Sequence, residues 1–446
     1  MARDPLARLI ATALLAAAPS ALPAPACLAG DSAAMPPDIV LVVVDSLRAD
    51  HLGCYGCARP TSPAIDAFAA SAVRYEFACP SSSWTQPSIM SLFTSLPPES
   101  HGRNGTDSRH DPDVPTLAGE LAALGYETVA VTANPMVHRR YGFARGFSHY
   151  DDYSVFMDVG GDASKAAGKS AMDPLVTRLA AARLARRDPA KPLFLFVLYM
   201  DPHWDYIPRH PHDAAFGVEG YASPFIPGLS GKPVAPAEAD RVVRAYDAEI
   251  RGTDDAFAGL LRAIAESPSA DRTAIVLCAD HGESFWEHRD ATGHGNDLYD
   301  EELRVPLVVR PPAGVLFTPG LAVAGQAALV DIAPTLVRLA GGAPPASWIG
   351  RDLRSSFVSG VAPTAPVVLD ERIGGRHRRG VRDGRWKLIA DPPFDAPSEA
   401  YDLQADPGER SNLAGSGPLP PGAARLVPLL KPAVRPGADS AKETPK

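Results

Sequence analysis

The chain has 446 residues, enough for one large domain and a smaller one. Its formal net charge of -9 at pH 7 argues against nucleic acid as the main partner, although a bound metal overrides bulk charge locally. Five cysteines fit an oxidising compartment without requiring one, and 46 prolines with 37 glycines predict many long loops.

Residues 1–26 read as an export signal. Arg3 and Arg8 give a basic start, Leu9 to Ala18 is apolar, and Ala24-Pro25-Ala26 fits a small-residue cleavage site. The apolar run is too short to span a membrane, so no transmembrane helix is expected and the protein is read as periplasmic or secreted. Cys27 follows the cleavage site and raises a lipid anchor, although Ala24-Pro25-Ala26-Cys27 is a poor lipobox.

The first buried strand is Asp38 to Val44, apolar on both faces and followed by Asp45. Cys54 and Cys57 form a Cys-x-x-Cys without a second pair, which leaves a local disulfide or two free thiols. Pro63 to Ala72 patterns as a helix, with Thr61 or Ser62 as its cap. In Ser81-Ser82-Ser83-Trp84-Thr85-Gln86-Pro87-Ser88, a hydroxyl residue stands two positions before a proline, at a predicted helix start. The unpaired N–H groups and positive dipole end there favour anions. Thr85 alone would pass for a helix cap.

A strand over Glu127 to Val131 leads into Ala133 and Asn134, after a helix over Thr116 to Leu124 that stops at Gly125. A helix over Asp173 to Arg187 precedes a strand over Pro192 to Met200, followed by Asp201, His203 and Asp205. The longest helix runs from Pro236 to Ala265, before a strand over Thr273 to Cys278 and the acids and histidine of Asp280-His281-Gly282-Glu283. Strands alternating with helices imply right-handed βαβ units and a parallel sheet.

Ligands bind beyond the carboxyl ends of such strands. One acid after a strand is usually a turn residue; three converging on one rim point to a metal. The simplest set is Asp45, Asp280 and His281 with Thr85 as fourth ligand. Four oxygen and nitrogen donors suit zinc or manganese better than calcium, which takes roughly six to eight oxygens. A metal on Thr85 would explain how an ordinary hydroxyl becomes a nucleophile. His294, His203, Asp201 and Asp205 are candidates for a second metal, substrate contact or protonation of the leaving group. His101, His110, His138, His210, His212 and His288 read as surface or structural.

Several stretches, in order, resemble the sulfatase family of the alkaline phosphatase superfamily. They include Val43-Val44-Asp45-Ser46-Leu47-Arg48-Ala49-Asp50, Thr61-Ser62-Pro63, Pro97-Pro98-Glu99-Ser100-His101-Gly102, Ala279-Asp280-His281-Gly282-Glu283, Tyr299 to Pro306, Asp383 to Leu388 and Tyr401-Asp402-Leu403. The resemblance implies an α/β three-layer sandwich with a mostly parallel central sheet over 36–355. It also implies a small antiparallel-sheet subdomain over 356–414, and 415–446 reads as a disordered tail. It implies ester hydrolysis through a covalent sulfo- or phospho-enzyme, metal ligands at Asp45, Asp280 and His281, and the nucleophile at Thr85. His203 and His294 fall near positions that contact the transferred group or leaving oxygen.

The departures are specific. The family's Cys-x-Pro-x-Arg is here Thr85-Gln86-Pro87-Ser88-Ile89, and threonine cannot become formylglycine because its β-carbon bears a methyl group. Ser46 replaces the second acid of the first rim, and Ala133 and Asn134 stand where a lysine is expected. The phosphatase and phosphodiesterase branches look like this, with zinc supplying positive charge and Asn134 a donor to a non-bridging oxygen. The expected function is hydrolysis of a sulfate or phosphate mono- or diester of a small molecule, glycan or lipid. A phospho-group transferase and a decayed binding protein are the alternatives.

Overall fold

Asp38–Val44 carries six unbroken apolar residues after Asp38, and all seven of its residues are buried. A strand with two buried faces needs neighbours on both sides and cover above and below, and this one sits inside an eight-stranded sheet. The computed structural model describes residues 35–103, 113–152, 172–221, 234–288, 292–295, 297–363, 365–373 and 375–432. The expected export signal, Cys27 and most of the loop expected after Asp151 lie outside them.

In chain order the strands are β1 (Asp38–Val44), β2 (Val73–Cys79), β3 (Glu127–Thr132), β4 (His149–Asp151), β5 (Leu193–Tyr199), β6 (Thr273–Ala279), β7 (Ser284–Phe285), β8 (Thr292–Gly293), β9 (Leu307–Arg310), β10 (Ala322–Ala328), β11 (Val367–Ile373), β12 (Arg376–Arg382), β13 (Trp386–Ala390) and β14 (Glu399–Asp402). The large sheet has the order β10-β2-β9-β6-β1-β5-β3-β4. All its pairings are parallel except those of β9, which runs against β2 and β6. Helices Met172–Arg186 and Pro236–Ala265 pack on each other, and Leu117–Ala123 packs on Ile332–Leu339. The result is the α/β sandwich with a mostly parallel sheet.

Register places the site. Val44 of β1 is level with Tyr199 of β5 and with Ala279 of β6, so all three strands end in one row. The next residues, Asp45 and Asp280, therefore emerge side by side at the carboxyl edge. The Asp45 N–H continues the ladder onto the Tyr199 carbonyl at 3.1 Å. Thr132 of β3 is level with Leu198, which brings Asn134 to the same edge.

The C-terminal strands form a separate antiparallel sheet in the order β11-β12-β13-β14. Its outer core contains Val381, Trp386, Leu388 and Phe394, and it also takes in Ala423, Leu426 and Leu430. Residues 415–432, expected to be tail, thus differ from expectation in carrying the short helix Pro421–Ala424 and a 3-10 turn Val427–Leu430. Apolar residues three or four apart bury there despite the flanking prolines and glycines. Residues 433–446 lie outside the described residues. Cys54 and Cys57 are both free thiols.

Candidate active site

Asp45, Asp280 and His281 come together at the end of β1 and β6, with one ligand atom from each within 4.8 Å of the others. All three are fully buried. The His281 Nδ1–H donates to the Gly282 carbonyl at 2.9 Å, which turns Nε2 toward the two acids. Nε2 stands 3.7 Å from Asp45 Oδ1 and 3.5 Å from Asp280 Oδ2. Gly282 allows the turn because a β-carbon there would lie 2.1 Å from the Glu301 carbonyl oxygen.

Burial pushes the Asp45 carboxyl up to about 7, and the neighbouring charge of Asp280 adds to the rise. Burial likewise raises Asp280 to about 7, while N–H groups of Ser46 and His281 pull it back. Burial lowers His281 to about 4, so the ring is neutral and able to donate a lone pair.

Thr85 opens the helix Thr85–Thr94 as its first helical residue, behind Trp84 at the cap position, which makes no side-chain cap bond. The cap reading of Thr85 is thereby removed. Its Oγ1 instead lies 3.3 Å from His281 Nε2. The helix is anchored to β6 by Ser88, whose hydroxyl donates to the Asp280 carbonyl at 2.6 Å. Ile89, at the position of the expected arginine, is fully buried in the main core.

The residues around the triad hold it. Ser46 adopts a left-handed backbone (φ 57), its N–H donates to Asp280 Oδ1 at 3.1 Å and its hydroxyl to Asp45 Oδ1 at 2.9 Å. Tyr246 fixes that turn by donating to the Ser46 carbonyl at 2.7 Å. The Asn134 amide donates to Asp45 Oδ2, and its Oδ1 accepts from the Met136 N–H at 2.6 Å. Asn134 thus orients a ligand rather than standing only as a substrate donor.

His294 Nδ1 pairs with Glu283 Oε1 at 3.1 Å and lies 3.4 Å from Ser46 Oγ. Its ring centre is 4.3 Å from that of His281 and 4.8 Å from that of His203. Both expected histidines therefore reach the site. Asp201 lies instead beside a cavity of about 380 Å³, which Asp173 and Glu249 also line. Its N–H approaches Asp173 Oδ1 at 3.4 Å. Ser46, Glu283, Ser88 and Tyr246 carried no site role in the sequence reading. Glu283 sat in plain view, two residues past His281, but its partner His294 comes from a different loop.

The donor set fits a divalent metal. Two dry carboxylates side by side are costly without a cation, and Asp280 Oδ2 has no hydrogen-bond donor. The neutral imidazole nitrogen of His281 completes a mixed nitrogen and oxygen set.

Comparison with known proteins identifies the family. A family model described as Sulfatase matches residues 37–343. An arylsulfatase of Clostridium perfringens is 24% identical over 451 residues, covering 86% of this chain and 91% of that protein. Some curated relatives are spanned over a smaller share, 33% for the choline-sulfatase of Rhizobium meliloti. A solved structure described as a complex with its substrate D-glucosamine-2-N,6-O-disulfate has a TM-score of 0.74 at 19% identity, covering 89% of this chain and 97% of that one. The phosphonate monoester hydrolase of Agrobacterium radiobacter has a TM-score of 0.68 at 19% identity, covering 85% and 92%. Among the described residues no helix is long and apolar enough to cross a membrane.

Proposed function

The chain belongs to the sulfatase family and is an ester hydrolase of it; we propose that it cleaves phosphate mono- or diesters, or sulfate esters, through a covalent bond to Thr85. The observation that carries this is Thr85 Oγ1 at 3.3 Å from His281 Nε2, beside Asp45 and Asp280, at the buried start of a helix.

Asp45, Asp280, His281 and Thr85 would hold a divalent metal, zinc or manganese before calcium. When bound, it lowers the cost of charge on the Thr85 oxygen and on the transferred group. In the first step Thr85 Oγ1 gives up its proton to solvent and forms the bond to phosphorus or sulfur, the ester bond breaks, and the alcohol leaves with a proton. His294 would give that proton: Glu283 engages Nδ1 at 3.1 Å, which leaves Nε2 as the atom to pass it. In the second step water attacks, one of its protons returns to the histidine, the Thr85 bond breaks and Oγ1 regains a proton from solvent. His203, with its ring against His294, would contact the transferred group or the leaving oxygen.

Threonine removes formylglycine chemistry, and Ile89 removes a cation from the group-binding pocket, which tilts the reading toward phosphate esters. The phosphonate monoester hydrolase on the same fold supports that direction. The N-terminal segment supports export. Purified protein with zinc or manganese, assayed on aryl phosphate, aryl phosphodiester and aryl sulfate, tests the proposal. Thr85→Ala should lose at least about a thousandfold in kcat, as expected when a covalent nucleophile is removed. Full activity in that variant sinks the mechanism.

A further inference from the structure

We propose that Glu371, on β11 of the C-terminal sheet, is a positioning residue for both the Thr85 nucleophile and His294; this rests on the nucleophile reading above. Glu371 is buried, at 3% exposure. Its Oε2 accepts three hydrogen bonds from the loop that leads into Thr85: from Ser82 Oγ at 2.9 Å, Ser83 N–H at 3.2 Å and Ser83 Oγ at 2.8 Å. The same edge of β11 ties the loop again, since the Asp370 N–H donates to the Ser81 carbonyl at 2.9 Å.

Ser83 carries the contact onward. Its carbonyl accepts from the Gly295 N–H at 2.9 Å, and Gly295 follows His294 directly. One carboxylate thereby holds Ser82 and Ser83, from which the chain runs on to Thr85 and a backbone hydrogen bond reaches the residue after His294. Hydrogen bonds to a buried ionised acceptor are among the stronger ones a protein makes, and losing the acceptor leaves three donors stranded. A hydrophobic side chain would fill this space at lower cost, since Glu371 Oε1 has no hydrogen-bond partner and burial raises the carboxyl to about 7. That unfavourable burial points to a role beyond packing.

The test reads structure and turnover separately. Hydrogen–deuterium exchange on the full chain should show the Ser83 and Gly295 amides exchanging about tenfold faster or more in Glu371→Ala, with β1 unchanged. Ser82→Ala/Ser83→Ala, which keeps the carboxylate, should speed Gly295 exchange as well and covers the case in which Glu371→Ala does not fold. At pH 8 on the aryl ester that the wild type turns over, Glu371→Ala should lose about tenfold in kcat with KM within about twofold, and Glu371→Gln should restore most of it. Unchanged exchange at Gly295, or a folded Glu371→Ala with wild-type kcat, overturns the proposal. Retained activity in Thr85→Ala would instead overturn the nucleophile reading and leave the exchange result standing.

Discussion

Asp45 and Asp280 are two carboxylic acids in a dry site, and their pairing governs the response to pH. Each has an ordinary value of 3.8 and is raised to about 7 in the fold, by burial first. For a raised acid the folded state holds the proton over that interval, so the metal-free protein loses stability as pH rises from about 4 to about 7. Melting temperatures taken in chelator between pH 5 and pH 8 should fall, and Asp280→Asn should flatten the slope. An equal slope in both proteins would contradict the assignment. At this scale the ligands were legible, because acids directly after apolar strands are visible in one dimension. Asn134 and His294 were legible as candidates but their partners were not, since Asn134 reaches Asp45 from 89 positions away and His294 meets Ser46 from 248.

Strand register is what turns scattered acids into a site. The four runs expected as strands are strands, with ends within about a residue or two of the reading. The strands that escaped it are informative. β2 mixes Arg74 and Glu76 into its pattern, and β10 carries Gly325 and Gln326 at an edge with irregular pairing to β2. Edge and near-edge strands bury only in part, so their sequence signal is weaker. The C-terminal segment makes the same point. Leu426 and Leu430 are fully buried, and the Leu430 carbonyl accepts from Arg379 Nε at 2.7 Å. Truncation after Gly415 should lower the melting temperature by several degrees, roughly 2–4 °C per kcal/mol lost. Calorimetry of the truncated protein beside the full chain checks the claim.

For the molecule as a whole, metal and fold are coupled. A cation that binds only the folded chain stabilises it by about 2.7 kcal/mol at a hundredfold excess over Kd. Zinc or manganese should therefore raise the melting temperature more than calcium does, and Asp45→Asn should abolish the rise. A calcium response as large as that of zinc or manganese would contradict the four-ligand set. The mechanism turns on whether Thr85 carries the transferred group. The direct measurement is mass spectrometry of enzyme quenched in acid during turnover of an aryl phosphodiester, aryl phosphate or aryl sulfate. One phosphoryl or sulfuryl group is expected on the peptide containing Thr85, absent in Thr85→Ala. The same group on another residue of an active enzyme, with Thr85 unmodified, would contradict it.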